Sequence, residues 1–273
     1  MGKAKFAYTV WQWGTDAPEQ FVQALKDITA AGYEYFESVK AAIDVFGGDA
    51  DAFMAICRER GARPNGFYFH LTGDWDSDIG EVKAKLPFLA ACGVHRMNVQ
   101  ATPVTGRPAT AAELDYDVRA IEAIGRLAAP YGILPCLHPH YNTTAMYENE
   151  IDFILGRTDP AQVAFGPDTA HLVAGHCDPV AVIRKYAGRV KFIHLKDITH
   201  EVMQAAGTQA GVEVYTGFRE LGEGCVDFPA IFSILDGAGY DGFLTVELDR
   251  SRFGNRESAV MSMAYLRAHY TRD

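Results

Sequence analysis

The chain has 273 residues, 48% hydrophobic and 22% charged, which fits a chain that buries a large core and excludes a disordered or collagen-like one. Its formal net charge of -10 weighs against nucleic acid as a partner, because a phosphate backbone draws on Lys/Arg-rich surface. No apolar run approaches the roughly 18 residues of a membrane span, the N-terminal MGKAKFAYTV lacks a secretory apolar stretch, and the five cysteines are scattered with no C-x-x-C pair, so a cytoplasmic protein without a disulfide framework is expected.

Short β-type runs then alternate with helical segments. A strand over 6–10 is followed by a helix over 18–31 that ends before Gly32. A second strand over 33–39 leads to a helix over 52–60 and Gly61, and a third over 66–70 to a helix over 79–92 and Gly93. The fourth strand spans 94–100. Thr110 and Glu113 have capping-box spacing and open a long helix to Ala129. Strand five covers 133–138, with a helix over 148–155. Strand six covers 163–167, and Asp178-Pro179 forms the N-cap and first position of the next helix. Strand seven spans 190–195, followed by a longer insertion and a helix over 228–235. Strand eight covers 243–248, and a last helix 257–269. Eight cycles at this length predict an α/β fold, a (β/α)8 TIM barrel forming a single domain over 1–273. A doubly wound open sheet fits less well, because the first strand runs into Trp11-Gln-Trp13-Gly14 and not into G-x-G-x-x-G.

In such a barrel the chemistry sits at the C-terminal ends of the strands. Five of the nine histidines (70, 138, 140, 171 and 194) fall there, beside Asp168 and Glu247. Strand alternation points His138 and His140 the same way, and likewise His194 and Lys196. Imidazoles and carboxylates converging from neighbouring strands suit a divalent metal with a mixed N/O shell, and His138, Asp168, His194 and Glu247 form the expected ligand set. His140 is the alternative to His138. Asp197 is an alternative to His194 but has the opposite parity. Cys136 is expected to pack in the core, His95 to be structural, and Asp249 to be solvated in a loop or to form a salt bridge.

These residues carry a resemblance. Gly32-Tyr-Glu-Tyr-Phe-Glu37, His138-Pro-His140, Asp168-Thr-Ala-His171, His194-Leu-Lys-Asp197, Gly222-Glu-Gly-Cys-Val-Asp227 and the Glu247 strand resemble the xylose-isomerase-like TIM-barrel superfamily of sugar isomerases, epimerases and dehydratases. Within it, His138-Pro-His140-Tyr-Asn-Thr143 and His194-Leu-Lys-Asp197 are similar to the inosose (2-keto-myo-inositol) dehydratases. Ketose 3-epimerases of the superfamily carry a Glu on strand five where this chain has His138, which argues against a symmetric two-glutamate mechanism.

The resemblance implies a small-molecule keto-sugar or keto-inositol substrate and a divalent metal, manganese first, with cobalt, magnesium, zinc or iron as alternatives. A base would remove the proton beside the ketone, the metal would stabilise the enediolate, and loss of a β-hydroxyl would complete a dehydration. An epimerase or isomerase, or a 3-keto-glycoside lyase, would branch from the same enediolate. An abasic-site endonuclease or a non-catalytic sugar-binding barrel are the readings of another class. Glu247 is the expected base. His140 and His171 would orient hydroxyls or supply an acid of near-neutral pKa. Lys196 would polarise an oxygen, or else bridge to Asp197 at the surface. Glu37 is expected to accept a substrate hydroxyl or to pair with an Arg. Trp11 and Trp13 would wall the pocket, with a core role for one of them equally expected. His70, Gln100 and Arg219 complete the expected substrate contacts, Arg219 from an insertion over 199–221 that also carries Tyr215. A homo-oligomer is left open.

Overall fold

A computed structural model describes residues 4–208 and 212–270. The eight principal strands are β1 (Lys5–Thr9), β2 (Tyr35–Val39), β3 (Arg63–His70), β4 (Arg96–Gln100), β5 (Leu134–His138), β6 (Ala164–Phe165), β7 (Ile193–Leu195) and β10 (Phe243–Val246). They pair in parallel in the order β6-β5-β4-β3-β2-β1-β10-β7. Parallel bridges Phe165–Val190 and Asp168–His194 join β6 to β7, so the sheet closes on itself as the predicted (β/α)8 barrel. β6 is shorter than expected, since Gly166 and Pro167 follow it and proline has no N–H for the ladder.

The connecting helices are α1 (Pro18–Ala31), α3 (Ala50–Arg60), α4 (Trp75–Ala91), α5 (Ala111–Ala128), α6 (Glu148–Arg157), α8 (Pro179–Lys185), α10 (Phe228–Gly237) and α11 (Asn255–His269). Their caps explain their limits. The Thr110–Glu113 capping box forms at the start of α5. Asp178 accepts from two backbone N–H groups at the start of α8, with Pro179 at the first helical position. Gly32 ends α1 at φ 102°, a left-handed conformation that glycine adopts without Cβ strain.

Three short helices and a hairpin escape the sequence pattern. They are α2 (Lys40–Val45), α7 (Thr169–Ala174), α9 (His200–Thr208), and the antiparallel pair β8 (Asp197–Ile198) with β9 (Phe218–Arg219). All six residues of α7 are buried, so it shows no amphipathic period. Residues 209–211 of the 199–221 insertion lie outside the described residues.

Candidate active site

At the C-terminal mouth of the barrel, His138 of β5, Asp168 beyond β6, His194 of β7 and Glu247 beyond β10 each offer one ligand atom, all within 4.8 Å of one another and all buried. His138 is therefore the strand-five residue of this cluster, not His140.

Each of the four side chains has one polar atom fixed and one left over. His138 Nδ1 donates to the Gly166 carbonyl at 3.0 Å, leaving Nε2 without a partner. Asp168 Oδ1 accepts the His171 N–H at 2.8 Å as the N-cap of α7, leaving Oδ2. His194 Nε2 faces the Glu37 carboxylate, leaving Nδ1. Glu247 Oε1 accepts from Lys196 Nζ at 2.6 Å, leaving Oε2. His194 Nδ1 and Glu247 Oε2 lie 2.5 Å apart as an ion pair, close enough to share a proton when no cation lies between them. Buried polar atoms are almost always satisfied, and each orphan costs about 1–3 kcal/mol. Four convergent ligand atoms, two on carboxylates, fit a dication, which would take the place of the proton that His194 Nδ1 and Glu247 Oε2 otherwise share. The dication would neutralise both charges and satisfy all four atoms together.

The electrostatics agree with that fit. Burial alone would lower the basicity of His194, but the Glu37 and Glu247 carboxylates raise its pKa to about 10. Burial raises Asp168 to about 7, against the opposing pull of Lys196. Burial would also raise Glu247, yet the Lys196 and His194 charges hold it well below the usual carboxylate range.

The remaining expected site residues divide. Lys196 is fully buried, contacting Glu247, Asp249 at 3.0 Å, Asp168 at 3.5 Å and His171 at 3.2 Å, so its expected alternative as a surface partner of Asp197 is corrected. Of the two alternatives for Asp249, the structure shows the salt bridge, made to the buried Lys196 and not to a loop cation. His171 belongs to α7 and not to a strand end, which lets its ring lie against that of His140, tilted by 32° with centroids 3.6 Å apart. Both rings are held neutral. Burial and the Lys196 charge push His140 down to about 4, while burial, His140 and Lys196 push His171 well below its usual value. The surroundings of both rings therefore favour the hydroxyl-orienting role over that of an acid of near-neutral pKa, because both lie beside the Lys196 ammonium.

Glu37 neither pairs with an Arg nor stands free for a substrate hydroxyl. It is fully buried, with Oε1 accepting from Asn98 Nδ2 at 2.9 Å and Oε2 on His194. Trp11 reaches the site, 6.1 Å from the His194 ring and 5.7 Å from that of Tyr68. Trp13 does not: its Nε1 donates to Asp27 at 2.9 Å and its ring packs on Tyr8, behind the barrel wall. Gln100 is held by the Tyr68 hydroxyl. His70 is exposed on the rim, and its neighbouring charges are Lys40, Glu81 and Asp78, not the cluster. Arg219 spends Nη1 on the Thr216 and Phe218 carbonyls of its own loop, and it is Tyr215 that comes within 6.3 Å of His140.

Two contributors, Tyr68 and Asn98, were not singled out from sequence, and a third, Asp197, takes a different role from the metal ligand it was weighed as. Tyr68 stands edge-on to His138 at 5.1 Å, and its parity with His70 was the available signal. Asn98 anchors Glu37, and a Cβ at Gly166 would lie 2.5 Å from its Oδ1, so glycine is required for this close approach. Asp197 explains the Gly222–Asp227 motif. Its carboxylate accepts the backbone N–H groups of Ile198, Gly222, Gly224 and Val226 at 2.9–3.0 Å, away from the cluster, as its opposite strand parity required.

Residues 25–269 match the Xylose isomerase-like TIM barrel family, and the chain belongs to that family. It is 36% identical over 135 residues to the inosose dehydratase of Clostridium beijerinckii, an alignment covering 48% of this chain and 45% of that one. The chain spans about half the length of the curated relatives it matches. Among solved structures it resembles a D-allulose 3-epimerase from Methylomonas sp. in complex with D-allulose, at a TM-score of 0.79 and 16% identity, covering 99% and 98% of the two chains. It also resembles the IOLI protein with a bound zinc atom, at a TM-score of 0.77 and 16% identity, covering 98% and 100%. At these identities the likeness establishes the fold.

Proposed function

We propose that the protein is a divalent-metal-dependent enzyme that removes the proton beside the ketone of a keto-inositol or keto-sugar and then eliminates a β-hydroxyl, as an inosose dehydratase does. The carrying observation is the convergence of four buried ligand atoms, one each from His138, Asp168, His194 and Glu247, within 4.8 Å of one another. The inosose dehydratase relatives support the substrate class.

When bound, the dication supplies Lewis acidity, lowering the cost of negative charge that develops on a substrate oxygen. Glu37 fixes the His194 tautomer with Nδ1 facing the cluster, and Gly166 does the same for His138 Nε2. Glu247 is the base. In the free enzyme Lys196 keeps its basicity low, and a substrate oxygen that takes over the ammonium's hydrogen bond restores it. Lys196 is then the protonated group placed to donate to the leaving hydroxyl. Neutral His140 and His171 orient hydroxyl groups. Trp11 covers the apolar C–H face of the ring, and Gln100 and Tyr68 close the wall. Manganese is the proposed metal and the cytoplasm the proposed compartment; five free thiols, four of them buried, suit a reducing environment. No helix among the described residues is long and apolar enough to cross a membrane.

The test is turnover of 2-keto-myo-inositol by manganese-loaded protein, followed by the ultraviolet absorbance of the new conjugated dicarbonyl. Loss of absorbance change with a chelator and recovery with manganese is the expected result. A C-epimer formed without absorbance change would replace dehydration by epimerisation, and full turnover in metal-free protein would overturn the reading.

A further inference from the structure

The opposite mouth of the barrel carries charge of the other sign. A cavity of about 560 Å³ opens at the N-terminal ends of the strands. Along β4, β3, β2, β1 and β10 the first residues are Arg96, Arg63, Tyr35, Lys5 and Phe243, with Lys191 just ahead of β7, and all six line it. Four of the six are cations, and Asp241 is the carboxylate facing them in the described lining.

None of these cations is in an ion pair among the described residues, in a chain with 35 acidic side chains against 25 basic ones. Cations at this end of a barrel ordinarily complement helix C-termini, as Arg58 and Arg60 do in the last turn of α3. The four described here start strands instead and surround a concavity. Lys5 Nζ lies 5.3 Å from the Tyr35 ring centroid and 5.5 Å from that of Phe243, so the charge is held over an aromatic wall. Arg96 spends one N–H on the His95 carbonyl at 2.7 Å, which steadies its guanidinium.

A second observation points to a ligand with hydroxyls. Asn65 lines the same cavity and is only 4% exposed. Its Nδ2 donates to Thr245 Oγ1 at 3.0 Å, while Oδ1 has no donor. An unpartnered buried acceptor beside four unpaired cations asks for a molecule with both an O–H and an anionic group.

We propose that the N-terminal mouth binds a small phosphate-bearing polyol. The phosphate would be held between Arg63 and Arg96, with Lys5 and Lys191 flanking it. A hydroxyl would donate to Asn65 Oδ1, and the carbon skeleton would lie against Tyr35 and Phe243. This site is separate from the metal cluster and does not depend on the reaction proposed there.

The test is calorimetric titration of glycerol 3-phosphate into metal-loaded protein at fixed ionic strength. Saturable binding is expected, weakened about tenfold or more by the double substitution Arg63→Gln/Arg96→Gln, with metal content and melting temperature unchanged. If that protein does not fold, Lys5→Gln/Lys191→Gln serves in its place and is expected to weaken binding in the same direction. Absence of saturable binding up to about 10 mM overturns the proposal. Unchanged affinity in the folded variants also overturns it, since the ligand is then at the metal cluster.

Discussion

The two mouths of this barrel are built from the same strands yet treat charge in opposite ways. At the C-terminal mouth, Asp168, Glu247, His138 and His194 are buried and each is gripped by a second group, so one atom of each is left pointing at a common centre. At the N-terminal mouth, Lys5, Arg63 and Lys191 are exposed and unpaired among the described residues. Burial makes charge expensive unless it is matched at close range, so the first mouth sets its carboxylates against His194 and Lys196 in a cluster that could hold a metal ion, while the cations of the second mouth stand in solvent. A formal net charge of -10 conceals this segregation entirely.

The sharpest way to break the comparison is to remove a ligand from the buried mouth. His138→Ala or Glu247→Gln is expected to strip the metal and lower kcat/KM by about 1,000-fold or more, read by elemental analysis and by turnover. Retention of stoichiometric metal in both variants would remove the cluster from consideration. Next in size, Glu37→Gln keeps the shape but weakens the grip on His194, and should cost about 10- to 100-fold in metal affinity with the fold intact, measured by competition with a chromophoric chelator.

Proton release offers a third measure. With its pKa raised to about 10 by Glu37 and Glu247 against the effect of burial, His194 should carry a proton at neutral pH in the metal-free protein, and a metal bound at Nδ1 would have to displace it. Calorimetry at pH about 7.5 in buffers of differing ionisation enthalpy should show about one proton released per metal, and affinity should fall as the pH is lowered. A pH-independent affinity would contradict the assigned tautomer.

Smaller effects concern the scaffold. A Cβ at Gly224 would lie 2.3 Å from Asp197 Oδ1 and 2.5 Å from the Ile198 carbonyl, so Gly224→Ala should destabilise the protein by about 1–3 kcal/mol in denaturant unfolding. The smallest effect is expected at the exposed mouth, where Arg63→Gln should leave turnover and metal content within about twofold of wild type. A larger loss would mean that the two mouths are coupled.

Legibility from sequence followed the range of the interactions involved. The helix starting at Pro18, the Thr110–Glu113 box and the Asp178-Pro179 start rest on contacts within one turn, and the chain states them directly. Strand parity placed His138 and His194 on the barrel interior, because alternation is a local property of an extended backbone. The short helix at Thr169–Ala174 was missed because burial on every side erases its periodicity. Lys196 was misjudged as half surface, since a lysine is ordinarily exposed and only three carboxylates from other segments make its burial tolerable.

The sequence by itself determined the eight alternating elements, the closed parallel sheet they imply, and the four residue types fit for a dication at the strand ends. Tertiary structure alone decided that Glu37 holds a histidine and not a substrate, that Trp13 belongs behind the wall while Trp11 faces the site, and that Arg63 and Arg96 meet around one cavity. The physical reason is that periodicity and capping are written in neighbouring residues. The state of a charge depends on which distant partner the closed barrel brings within a few ångströms, and no local pattern carries that information.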